Sequence, residues 1–195
     1  MAGSSYSSRL LFMNITGGNA LLDSNLILDK AKIGQGVKVA DLGCGISGHF
    51  VFPAALRVGK NGKVYAVDIL KNVLDNIKRR AKTENLENIE TVWSNLEIFG
   101  ATKIESESLD VALLINTLYQ SHKRAEILRE AIRMTKKKSL LVIVEWKDIA
   151  LPFGPSPEER VKIDLLKNAG QKLGLNLEEE FNAGPYHYGL IFVKM

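Results

Sequence analysis

Apolar residues fall along the chain in two alternating patterns. Short β-prone runs of four to eight residues recur at Val37–Asp41, Val64–Val67, Ile89–Trp93, Leu109–Ile115 and Ser139–Trp146. The run Leu109–Ile115 is almost unbroken, as expected of a strand covered on both faces. Between the runs, apolar positions return at helical spacing: Ala54, Ala55 and Leu56; then Leu70, Val73, Leu74, Ile77 and Ala81; then Ala125, Leu128 and Ile132, with Ser121 as the predicted cap. Ser24 predicts the start of an earlier helix running to about Lys32, with Gly34 as its stop. Pro152, Gly154 and Pro155 interrupt the chain, and Ser156-Pro157-Glu158-Glu159 has the cap, proline and glutamate of a strong helix start. Val161, Leu165, Leu166, Ala169 and Leu173 predict the buried stripe of that helix, and Gly174 its end. Two last runs, Leu175–Phe181 and Tyr188–Val193, are joined through Asn182-Ala183-Gly184-Pro185, which predicts an antiparallel pair.

Strand and helix alternate up to this final hairpin. That rhythm predicts an α/β fold: a single Rossmann-like, doubly wound, mostly parallel sheet with helices on both faces. Residues 1–20, rich in Ser, Gly and Asn, read as a flexible N-terminal segment, although Leu10–Met13 is apolar enough to dock; residues 21–195 read as one domain.

Composition narrows the picture only a little. The 195 residues are 46% hydrophobic and 25% charged, ordinary for a globular chain with a core of its own. Net charge is +4, from 26 basic and 22 acidic residues, too mild for a dedicated nucleic-acid protein. Lys78, Arg79, Arg80 and Lys82 read as the solvated face of one helix, and Lys136-Lys137-Lys138 as a solvated turn. The single cysteine, Cys44, excludes an internal disulfide and a cysteine-cluster metal site, so no metal is expected. No apolar run approaches a membrane span, and Met1-Ala-Gly-Ser-Ser carries no signal-peptide core, which together predict a cytoplasmic protein.

The chemistry concentrates where the first strand runs into Asp41-Leu-Gly43-Cys44-Gly45-Ile-Ser47-Gly48. A strand, a glycine turn and a helix bring backbone against a nucleotide-like ligand. Gly43-x-Gly45-x-x-Gly48 fits the dinucleotide fingerprint, but Asp41 stands two residues before it, where a carboxylate would repel a pyrophosphate and suit a cation. Asp68, ending the second strand, can accept from two ribose hydroxyls or cap the following helix.

The run Val39-Ala40-Asp41-Leu42-Gly43-Cys44-Gly45 resembles motif I of the class I S-adenosylmethionine-dependent methyltransferases. The resemblance runs from about Leu21 to the C-terminus and is closest to the quinone-biosynthesis and arsenite methyltransferase group. Val144-Glu145-Trp146-Lys147 with Pro152-Phe153-Gly154-Pro155, and Gly184-Pro185-Tyr186-His187-Tyr188-Gly189, look like that group too. It implies a seven-stranded sheet with an antiparallel last strand and S-adenosylmethionine as cofactor. It implies cofactor contacts from Asp41, Gly43, Cys44, Gly45, Asp68, Ile69, Asn95, Leu96 and Asn116, with Asn95 standing where an aspartate is usual and Ser47 where a glycine is usual. Tyr119 and Gln120 would face the acceptor, and His122, Glu145 and His187 are the possible bases. The expected reaction is methyl transfer to a small molecule by in-line displacement. Arsenite is disfavoured by the lone Cys44, nucleic-acid and protein acceptors stay open, and oligomeric state is unspecified. Two other readings stand beside it: a non-catalytic cofactor-binding partner subunit and a nicotinamide-dependent oxidoreductase.

Overall fold

The computed structural model describes residues 18–195; the Leu10–Met13 cluster and most of the predicted N-terminal segment lie outside these residues. Seven strands form one sheet: β1 (Lys38–Leu42), β2 (Lys63–Asp68), β3 (Ile89–Trp93), β4 (Leu109–Ile115), β5 (Thr135–Trp146), β6 (Leu175–Asn182) and β7 (His187–Lys194). Their order across the sheet is β3-β2-β1-β4-β5-β7-β6. The pairs among β1 to β5 are parallel, and β7 runs antiparallel to both of its neighbours. The expected seven-stranded, mostly parallel sheet with an antiparallel last strand is therefore observed.

Among the described residues five α-helices cover the sheet: α1 (Ser24–Lys30), α2 (Val51–Val58), α3 (Lys71–Thr83), α4 (Arg124–Met134) and α5 (Ile163–Lys172). Strand alternation sends Val39, Leu113, Val142 and Val144 to the face shared with Ile27, Phe52, Val58, Val73 and Ile77 of α1 to α3. Ala40, Leu114, Leu141 and Ile143 go to the other face, against Ile127, Leu128 and Ala131 of α4 and Leu166 of α5. Both faces are thus buried, and the strand ends are left to build a site.

Local signals were mostly read in register, with instructive shifts. Asp23, not Ser24, caps α1, accepting from the N–H groups of Asn25 and Leu26. The stripe Val73, Leu74, Ile77 and Ala81 of α3 is buried as its spacing predicts. In α4 the buried stripe is Ile127, Leu128, Glu130, Ala131 and Met134, and Ala125 is exposed. The Ser156 start makes only one turn, with Glu159 Oε2 accepting from Ser156 N at 2.8 Å. Beyond that turn the Val161 carbonyl accepts from the Tyr188 hydroxyl at 2.6 Å, and the buried Arg160 turns back to the carbonyls of Pro155 and Ile149. Helix α5 starts seven residues after Ser156, at Ile163, in a new phase that leaves Leu165 59% exposed. Lys136–Lys138 is strand and not turn: β5 begins at Thr135, Lys136 pairs with Asp110 at 2.5 Å, and a register shift between Leu109 and Val111 absorbs the irregularity. Among the described residues no helix is long and apolar enough to cross a membrane.

Candidate active site

The order β3-β2-β1-β4 places the topological switch between β1 and β4, and a crevice outside the carboxyl ends of these strands is where such sheets bind ligands. A cavity of about 520 Å³ lies there, within the size range of small-molecule sites. Its wall includes Gly43, Gly45, Asp68, Ile69, Asn95, Leu96, Asn116, Tyr119 and Gln120, nine of the residues expected from the sequence, brought together from four strand ends.

The glycine turn is pinned to β2, since the N–H groups of Gly43 and Cys44 both donate to the Val67 carbonyl, at 2.8 and 3.0 Å. All three of its glycines have positive φ, but they serve different ends. A Cβ on Gly43 would strike the Thr117 side chain at 2.8 Å, and one on Gly48 would strike Ile77 and Phe52 at 2.6 and 2.7 Å. Those two glycines let elements pack. A Cβ on Gly45 would meet nothing within 4 Å, so its bareness leaves room in the cavity and not in the core.

Asp68 both builds and lines the site. Its Oδ2 accepts from Gly45 N at 3.1 Å and its Oδ1 from Leu70 N at 2.9 Å, so it holds the glycine turn and the loop into α3, whose N-cap is Leu70, without capping the helix. A carboxylate offers about four acceptor positions, so ligand hydroxyls can still be bound. Asn95 Oδ1 accepts from Glu97 N at 3.0 Å in a local turn. Glu97 is engaged by the Ser121 hydroxyl at 2.6 Å and by Lys123 at 3.6 Å.

Asp41 and Cys44 are buried, at 2% and 0% exposure, and do not line the cavity. Burial, and secondarily the charge of Asp68, pushes the Asp41 carboxyl up to about 7, and its Oδ2 has no hydrogen-bond partner among the described residues. Burial first, then Asp41 and Asp68, raise the Cys44 thiol well above its ordinary range, so it is held as the neutral thiol. The charged residues of the cavity wall, Asp68 and Glu97, are both acidic. In a chain of net charge +4 this is a locally anionic site, suited to a cationic ligand and not to a pyrophosphate.

The three possible bases do not line the cavity. His122 is exposed. Glu145 is fully buried, and its Oε1 accepts from the N–H groups of Leu118 and Tyr119 at 2.7 and 3.2 Å, which fixes the 3-10 turn Leu118–Gln120 after β4. His187 is fully buried, 4.3 Å from Trp146 ring to ring, and burial lowers its pKa to about 3. Tyr119 lines the wall with its phenol pushed up to about 12, by burial and then by the charges of Glu145 and Glu159. No group of three or more metal-ligating side chains is present among the described residues.

Several wall residues were not expected from the sequence, Asn72, Ser94, Thr117 and Asn19 among them, and Asn19 comes from farthest away in the chain. Asn19, in the 3-10 turn Asn19–Leu21, is 4% exposed and meets Asn116. Its only signal in the sequence is the Gly17-Gly18-Asn19 turn triplet, which reads equally well as loose chain.

Comparison with known proteins is consistent with this geometry. The family model described as a methyltransferase domain matches residues 33–178. The chain is 28% identical over 144 residues to a demethylmenaquinone methyltransferase of Lactococcus lactis; the match covers 74% of this chain and 56% of that one, so the chain spans about half the length of this curated relative. Among solved structures, a SAM-dependent methyltransferase of Aquifex aeolicus superposes with a TM-score of 0.83 at 21% identity, covering 96% of this chain and 98% of that one. An arsenic(III) S-adenosylmethionine methyltransferase of Chlamydomonas reinhardtii superposes at 0.66 with 19% identity, over 85% and 65% of the two chains.

Proposed function

The chain belongs to the methyltransferase domain family, and from that premise we propose that it binds S-adenosylmethionine at the ends of β1, β2, β3 and β4 and transfers the methyl group to a small-molecule acceptor. The observation that carries the reading is Asp68, a carboxylate lining the cavity at the end of β2 and bonded to the one glycine of the turn whose missing Cβ opens the cavity. The anionic wall supports a sulfonium-bearing cofactor over a dinucleotide.

In this reading Asp68 accepts from the ribose hydroxyls, Ile69, Asn95 and Leu96 hold the adenine, and Gly43, Gly45 and Asn116 border the amino-acid portion. Asp41 contributes negative charge from beneath. When bound, the cofactor supplies a sulfonium-activated methyl group for in-line displacement. Tyr119 and Gln120 position the acceptor, and apolar wall residues such as Ile115 and Leu96 help to exclude water. With His122, Glu145 and His187 all off the cavity wall, catalysis rests on positioning, and the acceptor is a nucleophile that does not need one of these three as a base. The buried, lone Cys44 counts against arsenite, and the similarity to an enzyme named for demethylmenaquinone favours an organic acceptor.

Isothermal titration with S-adenosylhomocysteine and with NAD tests the reading. Micromolar binding of the first and no heat from the second is the expected result. Heat from NAD alone overturns it. A panel of organic acceptors with labelled cofactor then separates turnover from a purely binding role.

A further inference from the structure

Asn19 and Asn116 lie 97 residues apart in the chain and meet in the cavity wall, where Asn116 Nδ2 donates to Asn19 Oδ1 at 2.9 Å. Asn116 is 2% exposed and has φ +54, a backbone state uncommon outside glycine. Its N–H donates to the Val144 carbonyl at 2.8 Å, and its own carbonyl accepts from Gln120 Nε2 at 2.7 Å. The remaining polar atom, Oδ1, is buried without a partner among the described residues. A buried, unpartnered acceptor in a cavity wall favours a ligand that brings a donor there, and a charged donor most strongly.

What turns Asn116 that way is Asn19, whose backbone is itself fixed. Gly18, at φ +85, lies against the Trp146 indole so closely that a Cβ would come within 2.3 Å of it. The Leu21 N–H donates to the Gly18 carbonyl and the Leu22 N–H to that of Asn19, both at 3.0 Å. Trp146 thus seats the turn and the turn aims Asn19. Asn19 Oδ1 then accepts only from a nitrogen, so the oxygen of Asn116 is left for the ligand. Without Asn19 the Asn116 carboxamide can rotate and present a donor where an acceptor is needed.

We propose that Asn19 is a positioning residue which locks the Asn116 carboxamide with its oxygen offered to a cationic donor of the ligand, the ammonium of an amino-acid portion. The proposal rests on the S-adenosylmethionine reading. It is tested by comparing two probes by isothermal titration: S-adenosylhomocysteine, which carries that ammonium, and 5′-methylthioadenosine, which lacks the amino-acid portion. Asn19→Ala is expected to weaken the first by about tenfold and to leave the second within about twofold. Asn19→Asp, which keeps an acceptor for Asn116 Nδ2, is expected to restore the preference. Gly18→Ala, which unseats the turn from Trp146, is expected to copy Asn19→Ala. Equal loss for both probes, or no loss for either, overturns the proposal while leaving the cofactor reading standing. Failure of the unaltered protein to bind either probe overturns the cofactor reading itself.

Discussion

The carboxylate of Asp68 and the backbone N–H of Gly45 are hydrogen-bonded at 3.1 Å, which ties the end of β2 to the turn that follows β1. The second oxygen of the same carboxylate holds Leu70 N at 2.9 Å. The group proposed to hold a ribose is therefore also a structural clasp, and substitutions there should show both roles.

Asp68→Ala leaves two backbone donors without partners. It should lower stability by about 1–3 kcal/mol, a fall in thermal midpoint of about 2–12 °C for a domain of this size, and abolish S-adenosylhomocysteine binding. Asp68→Asn keeps an acceptor and should retain most of the stability, yet still bind the ligand much more weakly. Calorimetric unfolding paired with titration separates the two effects.

Gly45 and Gly48 should respond in opposite ways. An added methyl at Gly45 meets no protein atom within 4 Å, so Gly45→Ala should cost only the strain of φ +64, about 1 kcal/mol, while blocking the ligand. Gly48→Ala forces Ile77 and Phe52 apart and should destabilise by more than Gly45→Ala, with a smaller effect on the affinity of the molecules that remain folded. Thermal melts and titrations on the pair give the comparison.

Asp41 makes a pH prediction. Its carboxyl sits at about 7 in the fold against 3.8 ordinarily, so the folded chain holds this proton more tightly than the unfolded one. Its contribution to stability is complete below about pH 4 and is lost as pH rises to about 7. Asp41→Asn should melt above the parent protein at pH 8, with the advantage vanishing by pH 4. A cationic ligand favours the ionised form, so binding at pH 6 should release protons from the parent and fewer from Asp41→Asn. Titration in buffers of different ionisation enthalpy reads this directly.

His187 acts with the opposite sign. Its pKa, lowered by burial to about 3 from 6.5, means that the unfolded chain takes up the proton first. Stability is complete above about 6.5 and is lost as pH falls toward 3. His187→Phe, which keeps a ring against Trp146, should unfold less readily than the parent at pH 4 and show no such advantage at pH 8. An equal pH response in both proteins would mean that the imidazole is not held neutral.

Much of the cavity wall at the strand ends could be read from sequence because its parts are local. Asp41, Gly43 and Gly45 lie within five residues, Asp68 closes β2, and Asn95 follows β3 by two residues, both strands having plain apolar runs. The parts that sequence did not give depend on partners far along the chain. Asn19 is defined by Asn116 and Trp146, neither of which is near it in sequence. Glu145 reads as a possible base, and only the fold shows it buried off the cavity wall with one carboxylate oxygen holding Leu118 and Tyr119. The Ser156 helix start makes its one turn with Glu159, and the segment after it is engaged in tertiary bonds of Arg160 and Val161 that the sequence does not announce. Lys136–Lys138 reads as a solvated turn; Lys137 and Lys138 are indeed exposed, but the ladder recruits Thr135 opposite Leu109 and makes the stretch part of β5.

The place of β7 has a consequence for biosynthesis. Strand β6 is made before β7, yet its sole neighbour in the sheet is β7, which lies between it and β5. A nascent chain that has emerged only as far as Asn182 holds an orphan strand with one side of β5 uncovered. The sheet can close only after residues 187–194 have left the ribosome, and ribosome-bound chains stalled before His187 should remain open to protease at β6.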